Sequence, residues 1–486
     1  MKPTIVFQDQ AEDPELFFER YRRSAAALAA LGVGDGDVVA LMLRNGAPVM
    51  ELMLAARWLG AYWCPVNWHF KTDEVRHILA DSGAKLFIAE DDLVQALGPV
   101  APAGVPSFGA SDWALRRDAA APIGTPALPA RGAMLYTSGT TGRPKGIRRG
   151  VAGPEAALRR AEVARYCYGL EGTMRGLLCA PIYHSAPNSF ALAMANEGAT
   201  LHIEQRFDAE RTLQMIEQFQ LTHAYLVPTM YVRMLRLPDP VRRRYDLGSM
   251  KFVSSTGSPC PPDVKRAMIE WWGPVIHECY GSSELGYMTR LDSHQALAKP
   301  GSAGQAMPGV ELKILDPNGS ELPRHQAGLI YVRQQGMTDF TYNDNDAARR
   351  AMERDGFLTM GDVGYLDDDD FLFIVDRQAD MIISRGVNIY PAEIEAALQM
   401  MPGVEDCAVF GIPDAEFGEG IAAAVQPRAG ATLTSEEVRA FLKARIAGYK
   451  VPRVVTFHTD MPREDTGKIF KRKLREPYWE GQTRRI

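Results

Sequence analysis

From Asp13 to Ala89 the chain alternates helical periodicity with short apolar runs, and this rhythm of parallel βα units constrains the fold more than any other feature. Asp13-Pro14-Glu15 reads as the cap and first turn of a helix with apolar positions at Leu16, Phe17 and Leu28, stopping near Gly32. A strand is expected at 38–43, a helix at 49–59, a strand at 61–66, a helix at 72–79 and a strand at 85–89. Residues 99–130, rich in Pro, Ala and Gly, read as an irregular connection inside a larger domain. Ligands of open α/β sheets sit beyond the carboxyl ends of strands. Three later strand-like runs end in polar loops: 133–136 before a Thr/Gly loop, 252–254 before Thr256-Gly257-Ser258, and 275–279 before Tyr280-Gly281-Ser282-Ser283-Glu284.

Near Asp376 the pattern changes to short alternating pieces: a helix at 391–400, strands at 406–411 and 421–426, a helix at 435–446 and a strand at 453–458. That is an α+β domain of about 110 residues, a size able to fold by itself. The expected fold class is therefore α/β, with a large N-terminal domain of α/β subdomains (1–376) and a small α+β C-terminal domain (377–486). A length of 486 residues alone suggests roughly three units at about 150 residues each, and the pattern resolves these into two unequal functional domains meeting near Arg377.

The strongest chemical signal is Tyr136-Thr137-Ser138-Gly139-Thr140-Thr141-Gly142-Arg143-Pro144-Lys145-Gly146. Its glycines let backbone N–H groups approach oxyanions, its hydroxyls add donors and Lys145 adds charge, a composition suited to a polyphosphate. It is not a Walker A loop, because Pro144 precedes Lys145 and Gly146 follows it where that motif needs GxxxxGK[ST]. A flexible surface turn would account for the glycines but not for hydroxyls and lysine together.

Further motifs follow in order: Tyr280 to Glu284, Gly361-Asp362, Asp376-Arg377, Gly386-Val387-Asn388-Ile389-Tyr390-Pro391, and Pro462 to Ile469 with Gly467-Lys468. Together with the phosphate loop these make the chain resemble the adenylate-forming superfamily, and within it the AMP-forming acyl-CoA synthetases or acid:CoA ligases. The resemblance implies that a carboxylate attacks the α-phosphate of ATP to give acyl-AMP and pyrophosphate, after which the acyl group passes to a thiol. It implies catalytic roles for Lys468, Glu284 and Ser283: Lys468 on the carboxylate and α-phosphate, Ser283 on the α-phosphate, Glu284 on Mg²⁺. Thr137, Ser138, Gly139, Thr140, Thr141, Gly142 and Lys145 would cradle the β- and γ-phosphates. Asp362 would accept both ribose hydroxyls, Arg377 would add a donor, and Gly257, Ser258, Tyr280 and Gly281 would flank the adenine. Standing by itself, Asp362 would read as a turn or cap and Arg377 as a surface ion pair. In such enzymes the small domain moves between the half-reactions, with Ala379 at the hinge.

For the acid, Pro181-Ile182-Tyr183-His184-Ser185 resembles the loop at the mouth of the family's acyl pocket, with His184 as a gate. Thr229, Ser255, Gly281 and Met288 are candidate substrate contacts, alongside Phe190, Ala191, Ala193, Ser254, Gly286 and Tyr287, several of which would serve equally as core. No Asp lies between Ala180 and Asn196 to pair with an ammonium, which disfavours an α-amino acid and points to a fatty, aryl or polycyclic acid. For the thiol, Ser384-Arg385-Gly386, Phe417-Gly418-Glu419 and Tyr449-Lys450-Val451-Pro452 look like segments that approach coenzyme A, with Arg385, Gly386 and Lys450 as contacts. No carrier-domain serine follows within the chain, so CoA is expected rather than an attached carrier. The alternatives are a ligase that loads a separate acyl carrier protein and an adenylate-binding sensor without turnover. Arg148-Arg149-Gly150, after the phosphate loop, has no assigned role.

Composition excludes other classes. With 54 basic and 60 acidic residues the net charge is −6, which gives no field for nucleic acid or acidic membranes. The short basic run at Lys471-Arg472-Lys473 with Arg475 reads as a solvated face, and Asp367 to Asp370 as a solvated hairpin turn rather than a metal site. The six cysteines are scattered without metal-ligand spacing, so buried, reduced thiols are expected. Neither a signal-like h-region at Ile5 to Phe7 nor a lipid span at Gly176 to Asn196 is expected, and the reading is a cytoplasmic protein whose partners are a carboxylic acid, ATP and CoA. A homodimer is compatible with the sequence but not specified by it.

Overall fold

The structure is a computed structural model and describes residues 2–126, 130–137, 144–343, 345–378, 380–384, 387–414, 418–463 and 469–480. It divides into two compact units, the first of Met1–Pro300, Met307–Val310 and Gln334–Asp355, the second of Gly301–Ala306, Glu311–Arg333 and Gly356–Ile486. Packing thus joins the β-rich stretch before Arg377 to the C-terminal part, whereas the expected functional boundary falls at 376/377.

The alternating pattern at the start of the chain forms a parallel four-stranded sheet in the order Tyr62–Pro65, Val38–Met42, Ala84–Ala89, Ser107–Gly109. The helix Pro14–Ala30 precedes the first of its strands, and Ala47–Trp58 and Thr72–Asp81 lie between its strands in sequence, each within two residues of its expected bounds. Asp13 caps the first, accepting the N–H groups of Glu15 and Leu16, and Pro14 supplies the preset φ of the first turn. Leu16 does not join the core as expected but is 68% exposed, because it sits on the polar side of that helix while Phe17, Tyr21 and Leu28 are buried.

Residues 99–130 are not wholly irregular: they contain the edge strand Ser107–Gly109 and the helix Ala110–Ala119. The reason is tertiary. Trp113 is buried and donates through Nε1 to Ser24 Oγ at 3.2 Å, and Arg117 reaches buried Glu51 at 3.1 Å beside Arg20 at 2.7 Å. Burial pushes Glu51 up, and Ser24, Arg117 and Arg20 oppose that shift. A polar cluster shared by three helices therefore anchors this segment to the first two helices.

The largest sheet of the first unit runs in the order Gly286–Leu291, Ile276–Ser282, Phe252–Ser255, His223–Tyr225, Arg175–Leu178, Thr200–Ile203, Thr4–Phe7 and Gln10–Ala11. Its inner pairs are parallel and its two outer pairs antiparallel. A three-stranded sheet places Lys145–Arg149 between Phe340–Tyr342 and Leu135–Thr137. The six cysteines are all buried and free, as expected. Among the described residues no helix is long and apolar enough to cross a membrane.

In the second unit Phe357–Leu366 and Leu372–Arg377 form an antiparallel hairpin. Its turn holds Asp367 to Asp370, as expected, but Asp367 is buried rather than solvated, because its carboxylate accepts the N–H groups of Asp369 and Phe371. The C-terminal α+β part carries a sheet in the order Val387–Ile389, Ile382–Ser384, Gly418–Pro427, Val404–Asp414, with Val454–Phe457 parallel to Gly418–Pro427. The helices Pro391–Gln399 and Ser435–Lys443 contribute Ile394, Leu398, Val438 and Leu442 to its core.

Candidate active site

Four adjacent parallel strands of the large sheet end at Leu178, Tyr225, Ser255 and Ser282. The residues just beyond those ends include His184, Thr229, Gly257 with Ser258, and Ser283 with Glu284, so the topology gathers the candidates where ligands of such sheets bind. Tyr280, Gly281 and Ser282 are not loop residues as expected but the last positions of Ile276–Ser282. The return strand Gly286–Leu291 extends the ladder that far, with Gly286 at φ 72° making the turn and a register shift between Tyr280 and Gly281. A Cβ at Gly281 would lie 2.3 Å from Gly286 O, so glycine is required there by packing alone.

Glu284 is buried, and its Oε1 accepts hydrogen bonds from Tyr342 Oη at 3.1 Å and Thr137 Oγ1 at 3.3 Å. Burial and the Glu284 charge push the Tyr342 phenol up, keeping it a hydrogen-bond donor. Ser283 Oγ donates to Ser185 Oγ at 2.9 Å, the first residue of the helix Ser185–Asn196. Lys145 Nζ lies 5.3 Å from the Tyr342 ring centroid, beside the same carboxylate's donor. Thr137 and Lys145, from the expected phosphate loop, are thus gathered around Glu284 and its donor Tyr342. Ser138, Gly139, Thr140, Thr141 and Gly142 lie outside the described residues, as do Arg385, Gly386 and Lys468.

The loop before His184 is pinned from below. Asn45 Nδ2 donates to Ala180 O at 2.9 Å and its Oδ1 accepts Ile182 N at 2.9 Å. His184 is the N-cap position of Ser185–Asn196, its ring 4.5 Å from that of Tyr183. Phe190, Ala191 and Ala193 on this helix are buried, and Phe190 meets Tyr168 at 5.4 Å and Tyr225 at 6.1 Å. Tyr168 and Tyr287 share a hydrogen bond of 3.1 Å. Ser255 and Met288 are buried, Thr229 is half-buried, and Gly257 (φ 101°) has open space where a Cβ would stand, with Ser258 half-exposed beside it.

In the second unit Asp362 is buried and its Oδ1 accepts Arg377 Nε at 3.1 Å across the hairpin register. Asp376 turns the other way and accepts Ala392 N at 2.9 Å, at the start of Pro391–Gln399. Two of the three expected thiol-side segments adjoin: Ser384 pairs with Gly418, and Glu419 accepts Ile383 N at 3.1 Å. Lys450 instead forms an ion pair with Glu393 at 2.6 Å.

The basic run is not simply a solvated face. Lys471 meets the Glu395 carboxylate at 2.8 Å and Arg475 lies 3.6 Å from Asp380, so both tie the helix Lys471–Trp479 to the domain. Burial pulls Lys471 down, but the Glu395, Asp376 and Asp380 carboxylates outweigh it and hold the ammonium above its usual value. The periodicity of a short charged run carries no sign of a partner distant in sequence, which is why Glu395 went unforeseen.

Two residues near Glu284 were missed. Tyr342 lies in no motif, and Arg149 has no role in the sequence reading, yet Arg149 Nη2 donates to Ser283 O at 2.8 Å and Glu284 O at 2.6 Å. Strand parity would have signalled Arg149, since Lys145 and Arg149 are four apart and share one face of a strand.

Among the described residues no cluster of three or more His, Cys, Asp or Glu side chains could hold a metal by itself. A single buried carboxylate suits Mg²⁺ arriving with substrate phosphates, which takes one or two protein carboxylates and keeps its other positions for phosphate and water. Glu284 fits this role, since both its described donors fall on Oε1 and leave Oε2 for the cation.

A family described as AMP-binding enzyme matches residues 15–340, and one described as AMP-binding enzyme C-terminal domain matches 393–468. A feruloyl-CoA synthase of an Amycolatopsis species is 34% identical over 472 residues, covering 94% of this chain and 92% of its own. The long-chain-fatty-acid CoA ligase FadD13 of Mycobacterium tuberculosis is 32% identical over 465 residues, covering 94% and 91%. The solved o-succinylbenzoate coenzyme A synthetase of Bacillus subtilis, in complex with ATP and magnesium ion, superposes with a TM-score of 0.86 at 26% identity, covering 97% of this chain and 96% of that one. The chain belongs to the AMP-binding enzyme family, within the adenylate-forming superfamily. It is an AMP-forming acyl-CoA synthetase, an ATP-dependent acid:CoA ligase.

Proposed function

We propose that this enzyme activates a hydrophobic carboxylic acid, fatty, aryl or polycyclic, as its acyl-AMP and then forms the CoA thioester. In the first step a carboxylate oxygen forms a bond to the α-phosphorus while the bond from that phosphorus to the bridging oxygen of pyrophosphate breaks. In the second the thiol sulfur bonds to the acyl carbon, the carbon–oxygen bond to AMP breaks, and the thiol proton is lost to solvent. The first step brings anions together, so its barrier depends on fixed positive charge and oriented donors.

Thr137, Lys145 and the glycine loop between them would take the β- and γ-phosphates, Ser283 and Lys468 the α-phosphate, and Glu284 the Mg²⁺ that offsets the phosphate charge. Asp362, held by Arg377, would take the ribose hydroxyls, and Gly257 with open space above it would let the adenine lie against backbone. Residues 377–486 would act as the mobile domain, with Arg385 and Gly386 at the thiol.

The observation that carries the substrate class is the surroundings of the helix Ser185–Asn196. It has no charged residue, it buries Phe190, Ala191 and Ala193, and Phe190 faces the tyrosines at 168 and 225. An ammonium placed here would be unpaired at a cost of several kcal/mol, whereas an alkyl or aryl group gains about 25 cal/mol per Å² buried. Two of the relatives bear names, feruloyl-CoA synthase and long-chain-fatty-acid CoA ligase, that fall within the same chemical range.

The test is pyrophosphate release over a panel of fatty, cinnamic-type, steroid-like and amino acids, each with and without CoA. Release is expected with one hydrophobic class, with thioester and AMP appearing only when CoA is present. Activity confined to amino acids, or thioester formed on a carrier protein and not on CoA, would overturn the proposal.

A further inference from the structure

The strand Lys145–Arg149 supplies more than the lysine that the reaction uses. We propose that Arg149 is a positioning residue that fixes the Ser283-Glu284 backbone and so sets where the α-phosphate hydroxyl and the metal-binding carboxylate stand. The inference rests on the roles given above to Ser283 and Glu284.

Ile276–Ser282 ends at Ser282, so the next two carbonyls have no ladder partner and must find donors elsewhere. Arg149 supplies both, with Nη2 2.8 Å from Ser283 O and 2.6 Å from Glu284 O. Its own backbone is held too: Arg149 pairs with Phe340 in the three-stranded sheet, and Arg149 O accepts Tyr62 Oη at 2.5 Å. Tyr62 Oη in turn accepts Arg131 Nη1 at 3.0 Å, and Arg131 is paired with Asp35. Burial of the guanidinium, together with the neighbouring Arg160, pushes it down to about 10, and Glu284 and Asp339 oppose the shift; it stays charged at neutral pH.

The side chain of Glu284 is held by the same sheet, since Tyr342 and Thr137 both donate to Oε1. Each strand of that sheet thus gives one residue to Glu284: Arg149 to its main chain, Tyr342 and Thr137 to its carboxylate. Groups that orient a metal-binding carboxylate commonly matter almost as much as the carboxylate itself. Both bonds come from one nitrogen, Nη2, whose two N–H groups are held in the guanidinium plane, whereas a lysine ammonium is a rotating point charge on a flexible stem, so lysine keeps the charge without the fixed geometry.

Arg149→Lys, Arg149→Met and Tyr342→Phe are compared with Glu284→Gln by three readouts: MgATP affinity by calorimetry at several Mg²⁺ concentrations, acid-dependent pyrophosphate release, and thioester formation from supplied acyl-AMP. Arg149→Lys is expected to lower pyrophosphate release about 10- to 100-fold, to weaken MgATP binding and raise the Mg²⁺ needed for it, and to leave thioester formation unchanged. Should Arg149→Met fail to fold, Arg149→Lys, which keeps the charge, and Tyr342→Phe, which deletes one hydroxyl, carry the test. Equal loss in both half-reactions with unchanged MgATP affinity would make Arg149 only a backbone cap and overturn the inference. Normal Arg149 variants beside an inactive Glu284→Gln would overturn it alone, whereas a fully active Glu284→Gln would overturn the site reading beneath it.

Discussion

Lys468→Ala is expected to lower acyl-AMP formation by about 10³-fold while supplied acyl-AMP is still converted to thioester. The two half-reactions differ in their electrostatics. In the first, a carboxylate approaches a phosphate and only a cation near both offsets their repulsion. In the second, a thiol attacks a neutral acyl carbon, and AMP leaves with the electron pair of the broken carbon–oxygen bond, so no second anion has to approach the phosphate. Lys468 lies outside the described residues, but its flanks are well anchored: Arg463 and Ile469 form an antiparallel bridge, and Phe470 N donates to Pro462 O at 2.7 Å. On either side Arg463 pairs with Asp406 at 2.7 Å and Lys471 with Glu395 at 2.8 Å. Alanine at 468 removes none of these contacts, and the thermal unfolding temperature, measured alongside, distinguishes a folded variant from an unfolded one. Loss of both half-reactions in a folded variant would show that the lysine has a different role.

Glu284→Gln is expected to lower pyrophosphate release by about 10²- to 10³-fold, roughly 3 to 4 kcal/mol in the barrier. Glutamine matches the shape of glutamate and still offers an oxygen to Tyr342 and Thr137, whose bonds are 3.1 and 3.3 Å in the wild type. What is lost is the negative charge that would hold Mg²⁺ against the phosphates. Raising Mg²⁺ should therefore recover part of the activity, and thioester formation from acyl-AMP should survive. A variant that releases pyrophosphate as fast as wild type would remove Glu284 from the metal's coordination.

The sequence carried the parallel architecture because period and punctuation are local properties: apolar runs, Asp13 at a helix start and glycines at turns all appear within a few residues of the element they define. It misjudged the parts set by distant partners. The helix Ala110–Ala119 is anchored by Ser24 and Glu51, the length of Ile276–Ser282 depends on its return strand, and the pairing of Lys471 on Glu395. The site followed the same division. Thr137 and Lys145, named from the composition of their loop, and Glu284, named from the resemblance of its motif, come together in the structure. Arg149 shares a strand face with Lys145, but what it and Tyr342 reach is set by a pairing of strands over a hundred positions apart, which sequence spacing does not show.

The central claim, acyl transfer through a carboxylate–AMP anhydride, is tested most directly by running one complete reaction with an acid labelled with ¹⁸O in its carboxylate. Attack by a carboxylate oxygen on the α-phosphorus, followed by cleavage of the acyl carbon–oxygen bond, leaves one labelled oxygen on AMP. The expected result is a single ¹⁸O in the AMP released with the CoA thioester, and none in pyrophosphate. Label in orthophosphate with ADP as the nucleotide product would mean an acyl phosphate instead, and unlabelled AMP would mean that the acid never bonded to the nucleotide.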